Sequence, residues 1–203
     1  MGDAPAFPAI AGVVLAGGRS LRMGTDKALA DFAGRPMLAH VLARFAPQVA
    51  ALAINANGDP ARFADFGAPL IADLAPGQPG PLAGIVAALD WAETGGFSWV
   101  ATAPCDAPFL PRDLVARLAR ASAQAPVVAV GPEGLEPLFA LWPVTARIRV
   151  QERLMAGERA VHRVLAALGA KEVELPATTP PWSLNLNAPD ELARASALAF
   201  STP

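Results

Sequence analysis

Ile10-Ala11-Gly12-Val13-Val14-Leu15, running into Ala16-Gly17-Gly18-Arg19-Ser20-Leu21-Arg22-Met23-Gly24-Thr25-Asp26-Lys27, is the stretch on which the fold turns. A short apolar run that stops at glycines reads as a buried strand followed by a loop. The glycines allow close backbone approach, and Arg19, Arg22 and Lys27 bring positive charge to it, which suits a phosphorylated ligand. The G-x-G-x-x-G spacing of a dinucleotide fingerprint is missing, and so is the Gly-Lys-Ser/Thr of a Walker A loop. An exposed glycine turn with solvated charges would use the same residues.

Outward from this stretch, strands and helices alternate. Pro36 suits the first turn of a helix, and Met37, Leu38, Val41, Leu42 and Phe45 continue it at helical spacing until Pro47. A second strand is expected over 49–54, a short helix over 60–66 and a third strand over 69–72. Pro76 to Pro81 is a loop, and Leu82, Ile85, Val86 and Leu89 form the face of the helix behind it. Further strands are expected over 99–103 and 127–130, with a helix starting at Pro111 between them. This β-loop-α rhythm predicts a Rossmann-like α/β fold in three layers, with a mostly parallel sheet. The rhythm weakens after Gly131. A strand over 136–142, helices over 148–155 and 161–168, and short strands over 171–175 and 183–187 are expected there. We read residues 1–203 as one domain, with a nucleotide-binding part over about 10–110 and a second-substrate part over about 131–200.

Polar residues recur where the predicted strands end: Gly17, Asn55, Asp73 and Asp106. In an open parallel sheet those ends share one edge, where ligands bind. Several classes are excluded by composition. Charged residues make up 17% of the chain and the net charge is −2, so no broad basic face for nucleic acid is expected. Cys105 is the single cysteine, which rules out an internal disulfide or a cysteine zinc cluster. No apolar run is long enough to span a bilayer, and Met1 to Ile10 lacks the basic start of a signal peptide. The cytoplasm is the expected compartment.

Taken in order, Leu15-Ala16-Gly17-Gly18, Arg22-Met23-Gly24 and Asp26-Lys27 resemble the signature of the nucleotidyltransferases that activate sugars, terpenoid alcohols and pterin cofactors. Asn55-Ala56-Asn57, Gly80-Pro81-Leu82-Ala83-Gly84, Pro104-Cys105-Asp106-Ala107-Pro108, Gly157-Glu158-Arg159 and Asn185-Leu186-Asn187-Ala188-Pro189-Asp190-Glu191-Leu192 are similar to the molybdenum cofactor guanylyltransferases within that group. The resemblance covers Val13 to Leu192. Ala107 departs from it, where many relatives carry a larger residue.

The resemblance implies transfer of GMP from GTP to the terminal phosphate of molybdopterin, with or without molybdenum, and release of pyrophosphate. It implies Mg²⁺ on Asp106, and Lys27 and Arg22 on the triphosphate and the leaving pyrophosphate. Leu15, Ala16 and Gly17 would meet the nucleotide through main chain, Asn55 and Asp73 would lie near base or ribose, and Gly80, Pro81 and Leu82 would give the base a backbone surface. Arg159, Asn185 and Asn187 would meet the pterin substrate. Plain alternatives exist for several: a turn or cap role for Asp73, Asp106 and Asn187, and solvated charge for Arg19, Arg22 and Arg159. His40 and His162 read as helix-surface residues, Cys105 and the tryptophans as packing. Molybdenum-insertion proteins and molybdoenzyme chaperones are the implied partners. The rivals are the cytidylyltransferase sibling, which usually has Leu-Ala-Ala-Gly where this chain has Gly17, a sugar-phosphate nucleotidyltransferase, and a non-catalytic cofactor-binding chaperone.

Overall fold

The structure is a computed structural model, and it describes residues 9–17, 27–74, 80–122, 124–184 and 186. Strand β1 (Ile10–Leu15) lies inside a seven-stranded sheet that also contains β4 (Ala51–Asn55), β5 (Leu70–Ile71), β6 (Trp99–Pro104), β7 (Val127–Gly131), β8 (Gly134–Pro143) and β9 (Lys171–Glu174). The remaining pair, β2 (Asp31–Phe32) and β3 (Arg35–Pro36), forms a small separate hairpin. The order across the large sheet is β5-β4-β1-β6-β8-β7-β9. Every pairing is parallel except those of β8, which runs antiparallel between β6 and β7.

All six residues of β1 are buried, because both faces of the sheet are covered. Side chains alternate between the two faces with the period of a strand. Ile10 and Val14 pack with Leu38, Val41 and Phe45 of α1 (Met37–Phe45) and with Leu114, Val115 and Leu118 of α3 (Leu114–Ala121). Ala11, Val13 and Leu15 pack with Leu82, Ile85, Val86 and Leu89 of α2 (Pro81–Thr94). Helices α4 (Arg147–Met155) and α5 (Val161–Ala167) add Val150, Leu154, Val164 and Leu165 to this second face. Gly12 is required by this packing, since a Cβ there would lie 2.9 Å from Val49 and 3.0 Å from Phe45.

Several elements differ from the sequence reading. Pro36 is the N-cap of α1 with extended backbone and belongs to β3, so the helix begins one residue later. Residues 60–66 form a 3-10 helix, capped by the Asp59 carboxylate accepting from Ala61 N. Helix α3 starts at Leu114 rather than Pro111. Ser183, Leu184 and Leu186 lie outside any strand, so the strand expected over 183–187 does not form at these residues. Instead Leu184 N closes a turn onto Pro181 O, and Leu186 packs with Phe32 and Met37. Among the described residues no helix is long and apolar enough to cross a membrane.

Candidate active site

The strand register brings the expected residues to one edge. Leu15 is level with Asn55 on one side and Pro104 on the other, and Asn55 is level with Ile71. Ala16-Gly17, Asn55, Asp73 and Cys105-Asp106 therefore emerge together at the carboxyl ends of β1, β4, β5 and β6. The Asn55 and Asp106 ends stand two strand spacings apart, roughly 10 Å. Backbone hydrogen bonds extend the alignment past the strands: Ala16 N donates to Asn55 O at 2.8 Å and Cys105 N to Leu15 O at 3.1 Å.

On the β6 side, Lys27 Nζ lies 2.9 Å from Asp106 Oδ2, with side-chain exposures of 22% and 16%. Lys27 opens a 3-10 turn, Lys27–Leu29, whose Ala28 is fully buried, so the lysine is anchored at its base. The Asp106 carbonyl accepts from Leu186 N at 3.1 Å, which docks the C-terminal segment against the same turn. Among the described residues no group of three or more His, Cys, Asp or Glu could cage a metal. The single, partly exposed Asp106 carboxylate is compatible with Mg²⁺ nonetheless, because Mg²⁺ takes one or two carboxylates and fills its other positions with water and substrate phosphate oxygens. Cys105 beside it is buried, and that burial, reinforced by the Asp106 charge, pushes its thiol up to about 12. A thiol so raised stays protonated and packs, as the sequence indicated.

On the β4–β5 side, Asn55 is 2% exposed and its Nδ2 donates to Ile71 O at 3.1 Å and to Asp73 Oδ1 at 3.0 Å. Asn57 closes the other half: its Nδ2 donates to Asp73 Oδ2 at 2.7 Å and its Oδ1 accepts from Asp73 N at 3.0 Å. Both carboxylate oxygens of Asp73 are thus held, and each keeps a lone pair for a ligand. Sequence reasoning gave Asn57 no role, although its spacing of two from Asn55 puts it at the same strand end.

Behind Asn55 stands Gly84 of α2. A Cβ there would lie 2.3 Å from Asn55 Oδ1, so only glycine lets the helix approach this side chain. Gly17 differs. Its nearest atoms would be Asn55 Oδ1 at 3.6 Å and Asn57 Nδ2 at 3.8 Å, ordinary contacts, and it is exposed. Gly80, at φ 121°, and Pro81 are exposed at the start of α2. Leu82 is fully buried, so only its main chain can face a nucleotide.

The remaining expected residues are placed less directly. Arg159 Nη1 donates to Leu154 O at 3.0 Å and Glu158 O at 2.8 Å, so the guanidinium braces the end of α4 while its side chain stays exposed. Arg19, Arg22, Asn185 and Asn187 lie outside the described residues. His40 is half-buried rather than a plain surface residue, its Nε2 2.7 Å from Phe32 O and its ring edge-on to Phe32.

A parallel-sheet edge with a backbone loop, an amide-held carboxylate on one side and a lysine–aspartate pair in the middle defines a nucleotide-handling α/β domain. Residues 12–173 match the model of the MobA-like NTP transferase domain. A molybdenum cofactor guanylyltransferase from Rhodopseudomonas palustris (strain BisB5) is 47% identical, over 98% of this chain and 97% of its own. Another from Cereibacter sphaeroides is 45% identical, over 92% and 95%. Among solved structures, molybdopterin-guanine dinucleotide biosynthesis protein A from Archaeoglobus fulgidus shares the fold, with a TM-score of 0.76, 23% identity, and coverage of 95% of this chain and 100% of its own. The chain belongs to the MobA-like NTP transferase family.

Proposed function

We propose that the protein transfers GMP from GTP to the terminal phosphate of molybdopterin, with or without molybdenum, releasing pyrophosphate and forming a guanine dinucleotide cofactor. The observation that carries this reading is the Lys27–Asp106 pair, set level with the Asn55–Asp73–Asn57 network on one sheet edge. The near-full-length likeness to molybdenum cofactor guanylyltransferases supplies the substrates.

In the reaction an oxygen of the acceptor phosphate forms a bond to the α-phosphorus of GTP. The bond from that phosphorus to the bridging oxygen breaks, and pyrophosphate leaves with the electron pair. A phosphate monoester with a second pKa of about 6 is mostly ionised at neutral pH, so no general base is required. Catalysis is then positioning and charge neutralisation. Asp106 holds Mg²⁺, which when bound neutralises charge on the phosphate oxygens. Lys27 exchanges its contact with Asp106 for the triphosphate, and Arg22 joins it on the leaving pyrophosphate. The main chain of Leu15, Ala16 and Gly17 lines the nucleotide, and Gly80, Pro81 and Leu82 offer backbone to the base. Asn55 and Asp73 bind base or ribose. Asn185, Asn187 and Arg159 meet the pterin substrate. Arg159 suits this role by topology. β8 ends and β9 begins at the far edge of the sheet, so α4 and α5 must run out and back, which carries their turn toward the ligand edge.

Residues 1–203 would act as one domain, in the cytoplasm, with molybdenum-insertion proteins and molybdoenzyme chaperones as partners. Incubation with molybdopterin, Mg²⁺ and each nucleoside triphosphate in turn, followed by product identification, tests the reading. GTP should give the guanine dinucleotide; a cytosine dinucleotide as main product, or no pyrophosphate with any nucleotide, would refute it.

A further inference from the structure

β5 is an edge strand of the sheet and only two residues long. Its parallel ladder with β4 runs from Ile54 N to Pro69 O at 2.8 Å and from Ala56 N to Ile71 O at 3.1 Å. The next donor in that ladder, Asp73 N, goes to the Asn57 side chain instead, whose Oδ1 accepts at 3.0 Å. The same amide donates from Nδ2 to Asp73 Oδ2 at 2.7 Å. One planar group thus grips both ends of the path N–Cα–Cβ–Cγ–Oδ2, which fixes both side-chain torsions of Asp73. Asn55 Nδ2 donates to the other oxygen at 3.0 Å, from a buried position braced by Ile71 O and by the close approach of Gly84.

A primary amide carries a donor and an acceptor side by side, which this double contact requires. Asn57 itself is exposed and Asp73 half-buried. A short carboxylate at the surface would otherwise rotate in water, and three hydrogen bonds remove that freedom at an entropic cost. A staple for the short edge strand needs only the contact to Asp73 N. The contact to Oδ2 sets where the carboxylate points. The Gly17 main chain runs beside the network: a Cβ on Gly17 would lie 3.6 Å from Asn55 Oδ1 and 3.8 Å from Asn57 Nδ2.

We propose that Asn57 is a positioning residue that aligns the Asp73 carboxylate with the two adjacent N–H donors of guanine, N1–H and the 2-amino group, and so sets the preference for GTP. The proposal rests on the function given above. Both Asp73 oxygens keep a lone pair, and the two oxygens of one carboxylate match two neighbouring donors. Adenine, cytosine and uracil present no such pair on adjacent atoms. The match demands a fixed carboxylate plane, because a rotated carboxylate meets one donor and leaves the other unpaired. A ribose diol also offers two donors, but position favours the base. The end of β5 stands three strand spacings from the end of β6 that carries Asp106, roughly 14 Å. The base edge, not the ribose, is the part of the nucleotide farthest from the reacting phosphate.

The test uses the full chain with Asn57→Ala, which removes both contacts, and Asn57→Asp, which keeps an acceptor for Asp73 N but sets a like charge against Asp73 Oδ2. Calorimetric binding of GTP, of ITP, which lacks the 2-amino group, and of 2′-deoxy-GTP is measured with Mg²⁺, beside GMP transfer to molybdopterin. The wild-type chain should bind GTP about tenfold tighter than ITP. Both variants should bring that ratio to within about twofold, leave the ratio of GTP to 2′-deoxy-GTP unchanged and keep cooperative melting. The charge added by Asn57→Asp repels every triphosphate alike and cancels in these ratios. A GTP/ITP ratio that survives in both variants, or in Asn57→Asp alone, would make Asn57 a staple for β5 and overturn the proposal. A change confined to the 2′-deoxy-GTP ratio would place the carboxylate on the ribose and overturn it too, as would a wild-type chain that binds GTP and ITP equally. A wild-type preference for GTP that both variants abolish, without any GMP transfer to molybdopterin, would leave the role of Asn57 standing and refute the function instead.

Discussion

Asp106 and Lys27 lie 2.9 Å apart, yet both side chains keep some exposure. Desolvation of a part-buried pair offsets much of its Coulomb attraction, so its net contribution to stability is small. Its value to the protein therefore lies in the charges it presents rather than in stability. Asp106→Ala should lower pyrophosphate release by at least about a hundredfold at saturating Mg²⁺ while leaving the thermal midpoint nearly unchanged. Near-normal turnover would remove Asp106 from the metal site. The two glycines facing Asn55 should separate in the opposite way. Gly84→Ala drives a Cβ to within 2.3 Å of an Asn55 side chain fixed by two hydrogen bonds. It should cost about 1–3 kcal/mol and raise the KM for GTP. Gly17→Ala meets only ordinary contacts and should leave stability alone. If the nucleotide approaches Gly17 closely, the added methyl will lower kcat/KM for GTP more than for the smaller CTP. An unchanged GTP/CTP ratio would restrict Gly17 to turn geometry.

Helix α3 is capped by a distant residue. Asp113 occupies its N-cap position without a side-chain cap bond, and the Gln48 Oε1 accepts from Val115 N at 2.9 Å instead. Gln48 Nε2 also donates to Arg44 O at 2.7 Å and to Pro111 O at 2.8 Å. One side chain thus joins the end of α1 to the segment that leads away from Asp106. Gln48→Ala would leave these backbone groups unpaired, at about 1–3 kcal/mol, and in a chain of this size should lower the melting temperature by roughly 2–10 °C. A calorimetric scan checks this; an unchanged midpoint would mean that water replaces the amide. The same element shows what sequence spacing misses. Pro111 looked like a helix start, but the segment from Asp106 to Asp113 follows the face of the sheet, with Ala107 and Leu110 fully buried, and becomes α-helical only at Leu114.

Across the whole molecule, His40 should impose a pH dependence on folding. Burial lowers its pKa first, the charges of Arg35 and Arg44 lower it further, and the Phe32 carbonyl and Asp31 oppose them. Its folded pKa therefore lies below the usual 6.5. The unfolded chain binds the proton more readily, so stability rises with pH through that window and this contribution is lost as pH falls below about 6.5. Urea midpoints should decline from pH 7 to pH 5.5, and His40→Gln, which can still donate to Phe32 O, should flatten that decline. An equal slope in the variant would place the dependence on other groups.

The sequence by itself determined the α/β class and the edge. The apolar run Ile10–Leu15 has no polar face and so must be covered on both sides. Asn55, Asp73 and Asp106 each follow a strand, and parallel strands bring their carboxyl ends together. The family motifs singled out Lys27 for the triphosphate and Asp106 for the metal, but only the structure brought the two side chains into contact. Tertiary structure alone decided the insertion of β8 between β6 and β7, because a strand's direction depends on its partners and leaves little trace in its own residues. It also decided that Asn57 holds Asp73 and that Gly84 admits Asn55, both contacts between residues far apart in the chain. Local residue types fix periodicity and turns, whereas packing fixes which distant side chains meet.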